Sequence, residues 1–318
     1  MMKSVRESVN NTKTGVLIAY FLIYVVWGST YYFIGVALKG FPVFLLGALR
    51  FSAAGLILLV VCYLKREPVF SRNLIRRSAV SGIVLLFVDM AVIMLAQRYV
   101  SSSFVAIMAS STAIWILFFD FPMWKENFRN PRIVTGIVVG FLGVLLLYWE
   151  QITSDALAPY SLYGFWLLVF GCISWTLGTL YVKYRSPAEE KTNAFAGSAW
   201  QMLFASTMFW IVAMVNDDVS GVQWQTIPAE ALYSLLYLIL FGSILAYSAY
   251  IWLLKVRPAA EVATHAYVNP FVAILLGTTL GNETVTWIQI AGLVIILLSV
   301  LLVSNYRRKK LENERLKN

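Results

Sequence analysis

Apolar residues fall in ten long blocks along this chain, mostly separated by short polar turns, and the ten-residue alternation of outer-membrane strands is absent. Crossing ~30 Å of hydrocarbon as a helix takes about 20 residues, so each block is long enough to span a bilayer. The blocks run Val16 to Leu38, Val43 to Leu64, Ala79 to Ala96, Phe104 to Met123 and Ile133 to Trp149. They continue with Tyr160 to Val182, Ala194 to Val215, Leu232 to Leu254, Val262 to Leu280 and Thr286 to Ser304. The pattern predicts an all-α integral membrane protein with ten transmembrane helices. Lys3, Arg6 and Lys13 precede the first block as they would a signal sequence. The block is too long for a signal core and has no small-x-small cleavage site, so it is read as the first span.

Composition agrees. With 60% apolar and 13% charged side chains and a mean hydropathy of +0.74, the chain needs lipid as its solvent. The net charge of +9 would suit nucleic acid, but the placement of the charges excludes that partner. Lys and Arg concentrate in alternate connections: Lys65, Arg66, Arg72, Arg76 and Arg77; Lys125, Arg129 and Arg132; Lys183, Arg185 and Lys191; Lys255 and Arg257; and the tail from Arg307. The other connections keep only Lys39 and Arg98, with Glu150, Asp155, Asp217, Asp218, Glu230 and Glu283. This positive-inside bias requires an even number of spans and places both termini in the cytosol, as in a bacterial cytoplasmic membrane. Cys62 and Cys172 lie in apolar blocks without ligand spacing, and His265 is the single histidine, so neither a metal nor a cofactor is expected. A phosphate-binding loop is also absent, which argues against direct ATP coupling.

The second half of the chain overlays the first as a five-span repeat. Ser101, Ala113 and Glu126 fall on Pro258, Pro270 and Glu283, Trp27 falls on Trp175, and Arg50 on Gln201. Five is odd, so the halves are expected to enter the membrane in opposite directions, a transporter device. With Trp27-Gly28-Ser29, Leu49-Arg50-Phe51, Ser101 to Ala106, Ala259 to Ala263, Asn269-Pro270 and Gly281-Asn282-Glu283 in this order, residues 15 to 305 resemble the drug/metabolite transporter superfamily, specifically its ten-helix EamA-domain group. The resemblance implies EamA-like repeats over 16–149 and 160–304, joined by an external linker over 150–159. A cytosolic segment, 1–15, precedes them and a basic cytosolic tail, 305–318, follows. It further implies a central cavity bounded by spans 1, 3, 4, 6, 8 and 9. Thr112-Ala113 stands where the family often has proline, so span 4 is expected to lack the break that Pro270 would give span 9.

Charges inside spans cost about 2.5–3.5 kcal/mol each on insertion scales, so each calls for a partner, a cavity or a role. Asp89 and Arg50 lie ~12 and ~13 Å from the same boundary at 1.5 Å per residue, equal depths that would permit an ion pair between spans 2 and 3. Asp89 is also a candidate solute or proton site. His265 and Asn269 flank the carbonyl that Pro270 leaves free, and Ser110, Ser111 and Thr112 occupy the corresponding stretch of span 4. The aromatics Trp27, Tyr31, Tyr32, Trp175, Tyr247 and Trp252 are too numerous to be all interface anchors, and Trp27, Tyr31, Trp175 and Tyr247 join these as candidate cavity walls. Trp124, Trp149, Trp224 and Trp287 sit at span ends as belt residues. Asp120 and Glu261 also sit at span ends, where solvation is the simpler expectation, and with Arg50 they are the candidate coupling or gate charges. Gly136 and Gly140 give span 5 a close-packing face, and spans 5 and 10 are the candidate peripheral or homodimer-facing pair.

The expected function is a secondary transporter, an exporter of amino acids or related small metabolites by alternating access, with protons as the candidate coupling ion. The resemblance supplies the solute class. A broad-range drug efflux carrier and a non-transporting scaffold are the alternatives, and no clustered nucleophile and base suggests an enzyme.

Overall fold

The computed structural model describes residues 14–153, 161–185, 194–257, 262 and 264–315. Ten helices form where the apolar blocks lie. They are α1 Thr14–Ala37, α2 Val43–Leu64, α3 Arg72–Ala96, α4 Ser102–Phe119, α5 Pro131–Thr153, α6 Ser161–Arg185, α7 Ala194–Val215 and α8 Ala229–Val256. The last two are α9 His265–Leu280 and α10 Trp287–Arg315. The first eight are long and apolar enough to cross a membrane, and α9 and α10 hold the shorter apolar stretches Val268–Leu280 and Trp287–Leu302. The protein is a ten-helix all-α membrane protein. Several helix starts differ from the hydropathy pattern by a few residues, that of α3 by the most. α3 begins at Arg72 instead of Ala79 because its first turns are amphipathic, with Leu74, Ser78 and Ser81 buried and the arginines outward. α5 begins at Pro131, a residue suited to the first helical turn.

Helix pairing is symmetric between the halves. α2 packs on α7, α5 on α10 and α4 on α9, each pair joining equivalent positions. α1 packs on α8 and α9 as α6 packs on α3 and α4. Because lipid is as apolar as leucine, such contacts depend on close packing, and small residues supply it. A Cβ on Gly28 would stand 3.0 Å from Asn269 Cα and Val272 Cβ, so α1 and α9 meet there nearly backbone to backbone. Gly143 lies against Ile296 and the backbone of Gly292 on α10, and Gly140 against Ile114 and Ser299. The glycine face of α5 is therefore used within the chain, while Val138, Leu142 and Leu145 point outward.

Four of the helices are irregular where they approach the centre. α1 widens to a π-helix over Leu22–Val26, α3 over Gly82–Val88 and α8 over Leu238–Tyr247. α4 is interrupted at Ser111, between helical runs Ser102–Ser110 and Thr112–Phe119. The expectation from proline is thereby reversed: α4 breaks without one, and α9 runs unbroken through Pro270. The cause in α4 is its polar run. Ser111 N–H donates to Met108 O at 3.0 Å and Ile114 N–H to Ser111 O at 2.8 Å, a tightened turn. Ser110 Oγ donates to Ile107 O at 2.6 Å, and the Cys172 thiol to Met108 O at 3.5 Å, so side chains satisfy carbonyls that regular helix bonds do not.

Candidate functional site

Between α1, α3, α4, α6, α8 and α9 lies a cavity of about 130 Å³, with Val300 of α10 at its edge. That is room for several waters or one small organic molecule. Its lining runs from Ile34, Asp89, Ile93 and Ala106 down to Asp120, Lys183 and Leu254. In chain terms it extends from the middle of the bundle to the face carrying the basic connections, called here the basic face.

Trp27, Tyr31, Asp89, Ser110, Thr112, Trp175, His265 and Asn269 all line this space, together with Asp120. Trp27 is the hub of its aromatic wall. Its ring centroid lies 5.0 Å from Tyr250, 5.3 Å from His265 and 5.4 Å from Trp175. The His265 ring stacks on Trp27 at 26°, with Nδ1 2.8 Å from Val262 O. Each residue of the Trp27-Gly28-Ser29 motif serves a different neighbour: the cavity, α9, and the Tyr237 hydroxyl of α8 at 2.7 Å from Ser29 Oγ. Asn269 fixes the other side of α1. Its amide nitrogen, turned toward α1, reaches Ile23 O and Tyr24 O at 2.9 Å and His265 O at 3.1 Å. Those α1 carbonyls lie in the widened turn, so a side chain of α9 supplies donors to the irregular backbone of α1.

Asp89 is 4% exposed and emerges from α3 directly after its π-helical stretch. Its Oδ1 lies 3.3 Å from where a Cβ on Gly171 would stand, so the glycine leaves the carboxylate open to the cavity. Asp89 forms no ion pair with Arg50 among the described residues. Arg50 is turned to α8 instead, with Nε donating to Ser243 Oγ at 2.8 Å, its guanidinium 4.9 Å from the Phe51 ring centroid, and Nη1 without a partner. Equal depth along two helices did not imply a shared azimuth. Gln201, the repeat counterpart of Arg50, mirrors this contact by donating to Ser81 on α3 at 2.7 Å.

Two other candidates fall outside the lining. Ser111 sits behind the wall, donating to Cys172 Sγ at 3.8 Å. Tyr247 is one layer back, its ring edge-on to Trp27 at 6.4 Å and its hydroxyl donating to Gln201 Oε1 at 2.9 Å. Glu261 lies outside the described residues. Asp120 departs from the solvated expectation, being 1% exposed. Its Oδ2 accepts from Lys183 Nζ at 3.0 Å and its Oδ1 from the Tyr184 hydroxyl, an ion-paired link between the basic-face ends of α4 and α6.

The lining also includes Thr30, Cys172, Thr179, Lys183 and Tyr250, which the sequence reading did not select for the cavity. A signal existed for α6: Gly171, Trp175, Thr179 and Lys183 recur every four residues and so share one face. Beyond the opposite end of the cavity, one turn of α4 from the lining residue Ala106, lies an unanticipated clamp. Glu283 Oε1 accepts from Ser102 N–H at 3.0 Å and Oγ at 2.6 Å, and Oε2 accepts from Ser103 N–H at 3.0 Å and Oγ at 2.6 Å. Asn282, at a φ of 52°, turns the chain after α9 so that this carboxylate meets the N-terminus of α4, where the helix dipole favours negative charge. The belt tryptophans Trp124, Trp149, Trp224 and Trp287 are exposed as expected.

Comparison with known proteins places this geometry among membrane carriers. The EamA-like transporter family matches residues 13–149 and again 162–305. An uncharacterized inner membrane transporter of Escherichia coli strain K12, YedA, is 31% identical over 288 residues, 90% of this chain and 89% of that protein. A probable amino-acid metabolite efflux pump of the same strain is 23% identical, covering 90% of this chain and 92% of its own length. A solved crystal structure, 16% identical, superposes with a TM-score of 0.65 over 93% of this chain and 99% of its own, which speaks to the fold.

Proposed function

Because the chain belongs to the EamA-like transporter family and is a multi-pass membrane transporter of a small solute, we propose that it is a secondary carrier exporting amino acids or related metabolites by alternating access. The observation that carries this reading is the asymmetry of the central cavity. It reaches the Asp120–Lys183 pair toward the basic face and stops short of the Glu283 clamp toward the other. One binding space with a distinct closure at each end is what alternating exposure requires. On the positive-inside rule the basic face is cytosolic, both termini lie there, and the cavity is drawn in its inward-reaching state. The two halves, residues 16–149 and 160–304, then serve as inverted repeats whose α4 and α9 ends form the two closures. The solute class is supported by the similarity to an amino-acid metabolite efflux pump. Asp89 is the group placed to couple export to protons, being a cavity carboxylate at apolar depth.

Flux of radiolabelled amino acids, amines, drugs and sugars in proteoliposomes, with and without a proton gradient, tests the proposal. Movement of at least one amino acid or amine, accelerated by the gradient and lost in Asp89→Asn, is expected. A folded preparation that moves no solute would refute the carrier, and movement indifferent to the gradient would refute the coupling.

A further inference from the structure

We propose that the cavity recognises its solute as an organic cation, an ammonium or quaternary nitrogen facing Asp89 with the apolar body against the rings of Trp27, Trp175, Tyr250 and His265. This rests on the carrier reading of the same cavity and narrows its solutes from amino acids to the related amines, which lack the carboxylate.

The first argument is the charge balance of the wall. Asp120 and Lys183 line the cavity but neutralise each other at 3.0 Å. Arg50, the nearest candidate to balance Asp89 on depth alone, is committed to Ser243 and the Phe51 ring and does not line the cavity. Among the described lining residues Asp89 is thus the one charge without a counter-ion, and it is 4% exposed. A buried carboxylate in this position is completed by a positive ligand and repelled by a second negative one.

The second argument is independent of charge placement. Trp27, Trp175, Tyr250 and His265, from four different helices, pack with centroid separations of 5.0–5.7 Å. Aromatic faces carry the negative end of the ring quadrupole and attract cations, ammonium ions included. Gly171 and Trp175 stand one turn apart on α6, so the carboxylate opening over the glycine and the ring wall share one stretch of the cavity. Carboxylate and rings therefore select the same sign, while a solute carboxylate finds no unpaired cation in the described wall.

Binding to the purified full-length protein in lipid nanodiscs, measured by calorimetry with phenethylamine, 2-phenylethanol and phenylalanine, tests this. The three share an aromatic body and differ as cation, neutral molecule and zwitterion. Phenethylamine is expected to bind about tenfold or more tightly than either of the others. Asp89→Asn is expected to abolish that preference while leaving 2-phenylethanol binding unchanged, and Asp89→Glu to keep it. Equal binding of the three, a preference that survives Asp89→Asn, or no measurable amine binding at millimolar concentration would each overturn the inference. Flux separates the two readings: phenylalanine movement without amine preference sinks cation recognition alone, and amine binding without movement of any solute sinks the carrier alone.

Discussion

Glu283→Gln is the substitution with the most informative consequence. The carboxylate receives four hydrogen bonds from Ser102 and Ser103, two of them from backbone N–H groups at the start of α4. Glutamine keeps one acceptor oxygen and turns an NH₂ group toward the other pair of donors. The charge at the helix terminus also disappears. The serine hydroxyl facing that NH₂ rotates to accept from it, so the net loss is one bond to a charged acceptor, about 1.5–3 kcal/mol, and a helix-dipole contribution of about 0.3–1, and the closed end loses about 2–4 kcal/mol. If only the state closed at this end carries the clamp, the opened state gains roughly 30- to 900-fold in relative population. Ile93 lies on the cavity wall toward the clamp, and the two native cysteines are Cys62 and Cys172. An Ile93→Cys reporter in a Cys62→Ala, Cys172→Ser background, labelled by an impermeant maleimide added from the clamp side, reads the opening directly. Labelling should be slow with Glu283 and at least tenfold faster with Gln. A lower Tm with unchanged labelling would mean that the carboxylate merely caps a helix, and the gating argument would be wrong.

Removing either partner of the Asp120–Lys183 pair is predicted to be unequal. Lys183 is 35% exposed and can hydrate alone, whereas Asp120 is 1% exposed and would be left with the Tyr184 hydroxyl. Lys183→Met should therefore cost more stability than Asp120→Asn, about 1–3 kcal/mol against about 1, read as the larger drop in Tm, and the reverse ranking would contradict the burial argument. A double-mutant cycle between Arg50→Met and Asp89→Asn should give a stability coupling below about 0.5 kcal/mol, since the two groups form no ion pair. Coupling of several times that size would show that the groups meet after all. Gly28→Ala adds a methyl 3.0 Å from Asn269 Cα and Val272 Cβ, and should cost about 1–3 kcal/mol and slow transport by separating α1 from α9. An unchanged Tm and rate would remove that contact from the account.

Much of the architecture was legible because lipid permits few solutions. Blocks of about 20 apolar residues fix spans, and a polar residue inside one stands out against its neighbours. Asp89, His265, Asn269 and Ser110 were found that way, and Trp27 and Trp175 through the repeat. What escaped were facts of azimuth and of helix irregularity. Arg50 and Asp89 match in depth, but a rise per residue says nothing about which way each faces. Ser243, which Arg50 meets, comes from a helix remote in sequence and lies in a π-helical stretch that periodicity does not reveal. Lys183 was counted only among the charges of the basic connections, and nothing in the sequence singled out Tyr250 from its aromatic neighbours. Glu283 was recognised as a mark of the repeat, while its bonds to Ser102 and Ser103 needed the turn at Asn282 to be seen.

The wide turns of α3 have a further bearing on Asp89. An α-helix advances ~100° per residue, so a stretch carrying one residue more than an α-helix would need rotates everything beyond it by about that angle. Asp89 follows such a stretch, Gly82–Val88, and faces the cavity rather than a neighbouring helix. Loss of a single residue from that stretch would swing the carboxylate away from the cavity with every side chain in the wall unaltered. In a carrier built this way, selectivity can change by a deletion upstream of the site as readily as by a substitution within it, and aligned residues at Asp89 need not occupy equivalent space.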